Sequence, residues 1–386
     1  MQMDFSLSQE QEMFRQYVKK YLIDMEKTKI ARDYIDNNVD AVQNMLNGLV
    51  ELGCTQLNIP EQYDGMGLGK LDLVPIFEEL GAAIVPGLHL ETLALAAPII
   101  EQFGSAAQKE TYLPQIASGE AAFTVAWLEP GRSYQQKGIQ LQAQVDGDTL
   151  VLNGVKTLVP DVALAQYALV PVHVNGDIAL VIVNPHDSDI EQRQQQSFDE
   201  TRKLYELTFN DVRVPMTSVV GSLQEGWAIL QQGLLSFNAG LSSWLVGSTE
   251  HVVDMATEYA KIREQFGNPI GRFQAIKHRL VDMKMDLETA RSLSHYANWA
   301  LETDAEDKVQ AIASARIFAV QAYIRAAAHN VQIHGGIGFT EEIDCHLYVK
   351  RSKFFENYLG DMEHYYTLAI DALNWTATKP QTMSIS

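Results

Sequence analysis

The spacing of apolar residues changes twice along this chain, and that change constrains the fold more than any single motif. Before residue 120, and again after Gly226, apolar residues recur every three or four positions, which predicts amphipathic helices. Between Ala121 and about Val220, short β-rich runs alternate with turn signals, and Asp146-Gly147 predicts a hairpin. The early helices are predicted over residues 9–22, 39–52, 71–83 and 88–103.

The sequence therefore predicts an α+β protein of three domains. We expect a helical domain over residues 1–120, a β domain over 121–222 and a helical bundle over 223–386. The bundle is expected because long helices with continuous apolar faces usually pack together. Thr303 followed by Glu306 forms a capping-box pattern, which predicts that a helix begins there and runs to about Asn330.

Charge and composition argue against several classes of protein. The formal net charge is −20, whereas nucleic-acid binding calls for a basic face. No run approaches the roughly 18–20 apolar residues that span a bilayer, and the first residues do not resemble a secretory signal. Two cysteines, Cys54 and Cys345, supply neither a disulfide framework nor metal-ligand spacing. We expect a cytoplasmic protein without a metal site.

Four strings, in the correct order and spacing, resemble motifs of the acyl-CoA dehydrogenase family. They are IPEQYDGMGLG (59–69), NDVRVP (210–215), REQFGNPIGRFQAIKHRLVDM (263–283) and VQIHGGIGF (331–339). The resemblance covers nearly the whole chain. It implies an N-terminal helical domain, a central β-barrel-like domain and a C-terminal four-helix bundle that carries a dimer interface.

Members of this family remove a proton from Cα of an acyl-CoA thioester and pass a hydride from Cβ to FAD. The resemblance implies FAD, acyl-CoA from fatty acid or steroid side-chain oxidation, and an electron-transfer flavoprotein as electron acceptor. It also implies a neighbouring subunit, because one chain surrounds the flavin ring while its neighbour contacts the adenine and pyrophosphate. No residue of the sequence reports which acyl group is oxidised.

The half of the cofactor site that faces the neighbour matches the family pattern. Arg263 matches the arginine that reaches a pyrophosphate, since a guanidinium offers fixed, charge-assisted donors. Phe266 matches an aromatic residue beside the adenine, and Gln274 and Gln332 match polar contacts. Gly335-Gly336 would allow the backbone to approach the cofactor closely. The alternative interpretation is that Arg263 is a surface ion-pair partner and that the two glycines only cap the end of a helix.

The half that should hold the flavin ring within the same chain departs from the family pattern. Leu128 and Tyr134 stand where the family carries a threonine and a serine. Leu158 and Pro160 stand where it carries a tryptophan and a threonine, and proline also removes a backbone donor. Four polar or aromatic contacts to the ring are therefore absent together.

The catalytic base is also absent from the family position. Nineteen positions after Thr340 the family carries a glutamate, and this chain carries Leu359. An alternative family position, on the first long helix of the bundle, falls at Phe237. Neither side chain can accept a proton. Asp361 and Glu356 are the candidate substitutes, although a solvated or capping carboxylate is the simpler interpretation of both.

Whether the chain is itself an enzyme stays open, and four hypotheses remain. In the first, the chain is a non-catalytic subunit of a heteromeric acyl-CoA dehydrogenase, as occurs among bacterial members that act on steroid side chains. In the second, it is an active homomeric dehydrogenase with a relocated base. It could instead perform a different flavin chemistry on the same fold, or serve as a flavin-free scaffold. Flavin bound by the chain alone would favour the second or third hypothesis.

Overall fold

The computed structural model describes residues 7–373, so residues 1–6 and 374–386 of the two outer predicted domains lie outside the described residues. The described part has the expected α+β order of helices, a sheet and long helices. No helix within residues 7–373 has the length and apolar character needed to cross a membrane.

Helices form the first part of the chain. Ser8 begins the first helix as a capping box, because its side chain accepts from the Gln11 backbone and the Gln11 side chain accepts from Ser8. A fully buried π-helical segment, Leu90–Ala96, runs directly into a short α-helix. The α-helices are α1 (Gln9–Asp24), α2 (Lys29–Ile35), α3 (Val39–Glu51), α4 (Lys70–Ala82), α5 (Ala97–Phe103) and α6 (Ala106–Ala117).

Strands form the middle of the chain. They are β1 (Phe123–Val125), β2 (Gln142–Asp146), β3 (Thr149–Pro160), β4 (Tyr167–Val174), β5 (Asp177–Val183), β6 (Ile190–Gln195), β7 (Leu204–Pro215) and β8 (Val219–Val220). The predicted hairpin is confirmed, since Asp146 pairs with Thr149 across Gly147, whose φ is +63°. The sheet order is β6-β7-β3-β2-β4-β5-β8, and β1 pairs with β4 in parallel. The alternate faces of these strands bury a core of their own.

Three long helices dominate the last part and pack along one another. They are α7 (Gly226–Ile262), α8 (Gln274–Glu302) and α9 (Lys308–His334), with the small hairpin β9 (Glu264–Gln265) and β10 (Asn268–Pro269) between α7 and α8. Two shorter helices follow, α10 (Cys345–Asn357) and α11 (Met362–Ala372). A single apolar core joins this bundle to the N-terminal helices.

The predicted start of α9 is wrong. The helix begins at Lys308 after Asp307, and no side chain caps it. Thr303 instead ends α8, and its hydroxyl donates to the Trp299 carbonyl oxygen at 2.8 Å. The capping pattern therefore coincides with the end of α8, because the Thr303 hydroxyl binds a carbonyl of that helix rather than a backbone N–H of α9.

Candidate functional site

The first segment of the neighbour-facing half-site lies at the end of α7. Arg263 is exposed, follows the last residue of α7 and forms no ion pair with the described residues. Phe266 is 89% exposed at the tip of the β9–β10 hairpin, and its ring meets that of Phe273 edge-on at a centroid distance of 6.0 Å. Gln274 is exposed at the first turn of α8. None of these three side chains is buried by the part of the chain that the structure describes.

The second segment, at the end of α9, lies beside the first. His334 stacks on Tyr259 of α7 at a centroid distance of 4.1 Å, which fixes the ends of the two helices next to each other. Gln332 is exposed. Gly335 has a φ of +67°, which disfavours any side chain there, and an added Cβ at Gly335 or Gly336 would meet nothing within 4 Å. The backbone of Gly336 is therefore open to close approach by another molecule.

The charge around this half-site suits an anionic group. Residues 261–284 carry six Lys and Arg side chains against two Asp and Glu, a local net charge of +4 in a chain of net charge −20. An unpaired guanidinium beside open backbone is the donor set that binds pyrophosphate. These residues fit the adenine and pyrophosphate end of FAD.

The 358–361 loop, between α10 and α11, carries the position of the family base. Leu359 is 2% exposed with a φ of +55°, and its carbonyl oxygen accepts from the Tyr365 hydroxyl at 2.7 Å. Phe237 on α7 is fully buried, with its ring edge against Tyr358 at a centroid distance of 5.8 Å. Both predicted base positions are thus packed core residues.

The two candidate substitute carboxylates have structural partners. Asp361 caps α11, because its side chain accepts from the His364 backbone at 2.8 Å. Glu356 lies on α10 and accepts from Lys353 at 3.0 Å on the outer face of the helix. A base role for either stays a prediction that this arrangement does not support.

A buried charge cluster lies beside the same loop, and sequence analysis missed it. Glu91 Oε1 accepts from the Tyr358 hydroxyl at 2.8 Å and from Arg202 Nη2 at 2.7 Å. Arg202 Nε lies 2.6 Å from Asp161 Oδ2, and the Tyr34 hydroxyl donates to Asp161 Oδ1 at 2.9 Å. Glu91, Arg202 and Asp161 are at most 1% exposed. They come from three distant parts of the chain, so no local spacing signals them.

One guanidinium serves two carboxylates in this cluster. Burial acts to lower the pKa of Arg202, but Asp161 and Glu91 outweigh it, and the pKa of Arg202 is raised. Burial raises the pKa of Asp161 more than Arg202 lowers it. Glu91 sits on the π-helical segment, a feature often found at functional sites, and its Oε2 atom has no hydrogen-bond partner.

The positions at which the family contacts the flavin ring carry residues that form other contacts within this chain. Leu128 is half-buried, and the Leu158 backbone N–H donates to Gln195 Oε1 at 2.9 Å with a φ of +53°. The Pro160 carbonyl oxygen accepts from the Thr124 hydroxyl at 2.7 Å. Burial raises the pKa of Tyr134 to about 12, although the Leu359 backbone acts to lower it, and the Tyr134 ring packs edge-on against Trp127 at a centroid distance of 5.1 Å. These residues do not fit the ring of FAD.

Two family models match this chain and cover most of it. The model of the acyl-CoA dehydrogenase N-terminal domain matches residues 8–120, and that of the C-terminal domain matches residues 224–371. The chain belongs to the acyl-CoA dehydrogenase family, whose members act on acyl-CoA thioesters with FAD.

Curated relatives and solved structures agree with the family models. The chain is 29% identical over 367 residues to the probable acyl-CoA dehydrogenase YngJ of Bacillus subtilis, covering 92% of this chain and 95% of that one. It resembles the structure of butyryl-CoA dehydrogenase from Megasphaera elsdenii with a TM-score of 0.87 and 28% identity, covering 96% of this chain and all of the other. A chain of the ChsE4–ChsE5 complex from Mycobacterium tuberculosis gives a TM-score of 0.86 at 25% identity, covering 97% of this chain and 100% of that one.

Proposed function

We propose that this chain is a non-catalytic subunit of a heteromeric acyl-CoA dehydrogenase. It supplies Arg263 and the Gly335-Gly336 backbone to the adenine and pyrophosphate end of an FAD whose ring lies in a related partner subunit. FAD would accept the hydride there, in the partner's site. One contrast carries the proposal: the base position, Leu359, is buried and apolar, while the half-site residues are exposed and unpaired.

Similarity to a chain of a heteromeric complex supports this assignment. The ChsE4–ChsE5 complex pairs two different chains, and one of them shares the fold of this protein over nearly its full length. The exposed apolar side chains at the same end of the bundle, Ile262, Phe266 and Phe339, would be covered by such a partner. Both cysteines are free and buried, which fits our proposal of a reducing cytoplasm.

Reconstitution with a partner tests the proposal. The chain should be co-purified with an acyl-CoA dehydrogenase-like protein that carries a glutamate at the base position, and FAD content should be measured by absorbance. Arg263→Ala should lower FAD affinity about tenfold or more, since a charge-assisted hydrogen bond typically contributes about 1.5–3 kcal/mol. Arg193→Ala, on exposed β6, is the matched control. Unchanged FAD occupancy in Arg263→Ala would contradict the proposed role of Arg263 in binding FAD.

A second candidate function, an active homomeric dehydrogenase, is favoured by one observation. Glu91 is a buried carboxylate whose Oε2 has no partner, and its Oε1 contacts Tyr358, the residue before Leu359. A carboxylate held through one oxygen leaves the other free to accept a proton. The chain purified alone should then reduce an artificial electron acceptor with acyl-CoA, and Glu91→Gln should abolish that activity. We expect no such activity in the unmodified chain.

A further inference from the structure

A cavity with a volume of 370 Å³ lies where five helices meet, and it shares no residue with the half-site or with the 358–361 loop. It is bordered by the start of α4, by α5, by residues 232–236 of α7 and by the connection between α8 and α9. Pockets for small molecules in proteins have volumes of roughly 300–1,000 Å³. The cavity is therefore large enough for a small organic molecule.

Ser236 is the most buried polar residue of the cavity lining. It is 8% exposed on α7, and its side chain forms no hydrogen bond with the residues that the structure describes. Other buried hydroxyls of α7 behave differently, since those of Ser242 and Thr249 donate to the carbonyl oxygens of Asn238 and Leu245 at 2.7 Å. A buried polar group without a partner is unfavourable. The Ser236 hydroxyl is thus available to a molecule in the cavity.

The charged side chains of the lining leave one cation and one anion unpaired. Two lysines and two carboxylates border the cavity, so their charges cancel. Lys308 pairs with Asp304 in the connection between α8 and α9. Lys70 on α4 and Glu101 on α5 form no ion pair or side-chain hydrogen bond within the described part of the chain. A molecule with both a carboxylate and an ammonium group can match the two, whereas a singly charged molecule matches only one of them.

Much of the remaining lining is apolar. Ile99 and Phe103 of α5 contribute to it, together with Leu301 near the end of α8. Ile99 is fully buried, and an added Cβ at Gly233 of α7 would come within 2.4 Å of its Cδ1 atom, so the glycine allows the two helices to approach each other. An aliphatic or aromatic group of a ligand would be removed from water against this surface.

We propose that this cavity binds a free α-amino acid with an apolar side chain. Its carboxylate pairs with Lys70 and accepts from the Ser236 hydroxyl, and its ammonium group pairs with Glu101. Its side chain packs on Ile99 and Leu301. The site lies outside the proposed FAD half-site and does not depend on a partner subunit.

Titration calorimetry of the full-length chain with L-leucine and L-phenylalanine tests the site. At least one of the two should bind saturably, at one site per chain, with a Kd of about 1 mM or tighter. Isocaproate keeps the leucine side chain and its carboxylate, and isopentylamine keeps the side chain and the ammonium group. Each should bind at least about tenfold more weakly than L-leucine, because each loses one charge-assisted contact.

Variants with matched controls locate the binding. Lys70→Gln and Glu101→Gln should each weaken amino-acid binding at least about tenfold, and Ser236→Ala should weaken it several-fold. Lys109→Gln and Glu110→Gln are the controls, because these α6 residues also lack an ion pair within the described residues but do not border the cavity. Both controls should leave the Kd unchanged.

Three results would overturn the proposal. The first is that the unmodified chain binds neither amino acid saturably. The second is that isocaproate or isopentylamine binds as tightly as L-leucine. The third is that folded Lys70→Gln and Glu101→Gln chains bind as tightly as the unmodified one. None of these results bears on FAD binding through Arg263, which does not border the cavity.

Discussion

The Tyr365 hydroxyl donates a hydrogen bond of 2.7 Å to the Leu359 carbonyl oxygen, and this contact fixes the loop at which the family carries its base. Arg316 Nη2 also donates to the carbonyl oxygens of Phe355 at 2.8 Å and Tyr358 at 3.0 Å. Leu359 adopts a φ of +55°, a conformation that costs a non-glycine residue about 1–3 kcal/mol. The loop holds this strained shape because its neighbours bind its backbone at several points.

Restoring the acid at this position should damage the fold without creating an enzyme. Leu359→Glu places a carboxylate at a site that is 2% exposed and lies in the apolar core. We expect a loss of about 2–4 kcal/mol in the free energy of unfolding, measured by urea denaturation, and no acyl-CoA-dependent reduction of an artificial acceptor. Leu359→Met keeps the volume and should lose less than about 1.5 kcal/mol. Turnover near 1–10 s⁻¹ in either the unmodified chain or Leu359→Glu would contradict the non-catalytic role.

Removing Arg202 should be one of the most destabilising single substitutions in the chain. Arg202→Met leaves the buried carboxylates of Glu91 and Asp161 facing each other without their shared cation. Breaking a buried pair in this way typically costs about 3–5 kcal/mol. Arg193→Met is the control, because its pair with Glu206 is exposed and such pairs contribute less than about 1 kcal/mol. Equal denaturation midpoints for the two variants would show that the cluster is not stabilising.

Sequence spacing predicted α1, α3, α4, the long helices, the strands and the hairpin because each depends on neighbouring residues, but it did not predict α2 or α6. The alternation around Asp146 and Gly147, for example, specifies both strands and the turn between them. The family strings singled out Arg263 and Gly335 for the same reason, since each motif is contiguous, and their role at a cofactor stays a prediction.

The charge cluster depends instead on tertiary contacts. Glu91 and Arg202 stand far apart in the sequence, and only the packing of the π-helical segment against the start of β7 brings them together. Tyr134 was recognised as a departure from the family pattern, but its packing against the core that contains Leu359 depends on tertiary structure. The capping pattern at Thr303 failed because its hydroxyl donates to the Trp299 carbonyl oxygen at the end of α8 instead of accepting from the start of α9.

Acid should destabilise the protein through His89. Burial first, and the positive charge of Arg202 second, lower the pKa of His89 from 6.5 to about 4. Below pH 6.5 the unfolded chain therefore binds a proton that the folded chain does not, and the free energy of unfolding falls as the pH drops towards 4. One such histidine lowers the free energy of unfolding by at most about 3 kcal/mol between pH 6.5 and 4, and it has no effect above pH 6.5. His89→Gln should flatten the pH dependence between 6.5 and 4, and His278→Gln, at an exposed position of α8, is the matched histidine substitution. Parallel curves for His89→Gln and the unmodified chain would refute this assignment.

The exposed end of the bundle should be the surface through which this chain associates. Phe266 and Phe339 are 89% and 83% exposed, which is unusual for phenylalanine side chains unless a partner covers them. Phe266→Asp combined with Phe339→Asp should weaken association at least about tenfold, because each charge would have to be buried in the interface. Light scattering with size-exclusion chromatography would measure the change, for the chain alone and mixed with its partner. Phe198→Asp is the control, since Phe198 is 68% exposed on the sheet side of the molecule, between β6 and β7. A chain that elutes only as a 43.1 kDa monomer, with and without the partner, would contradict the interface and the trans half-site together.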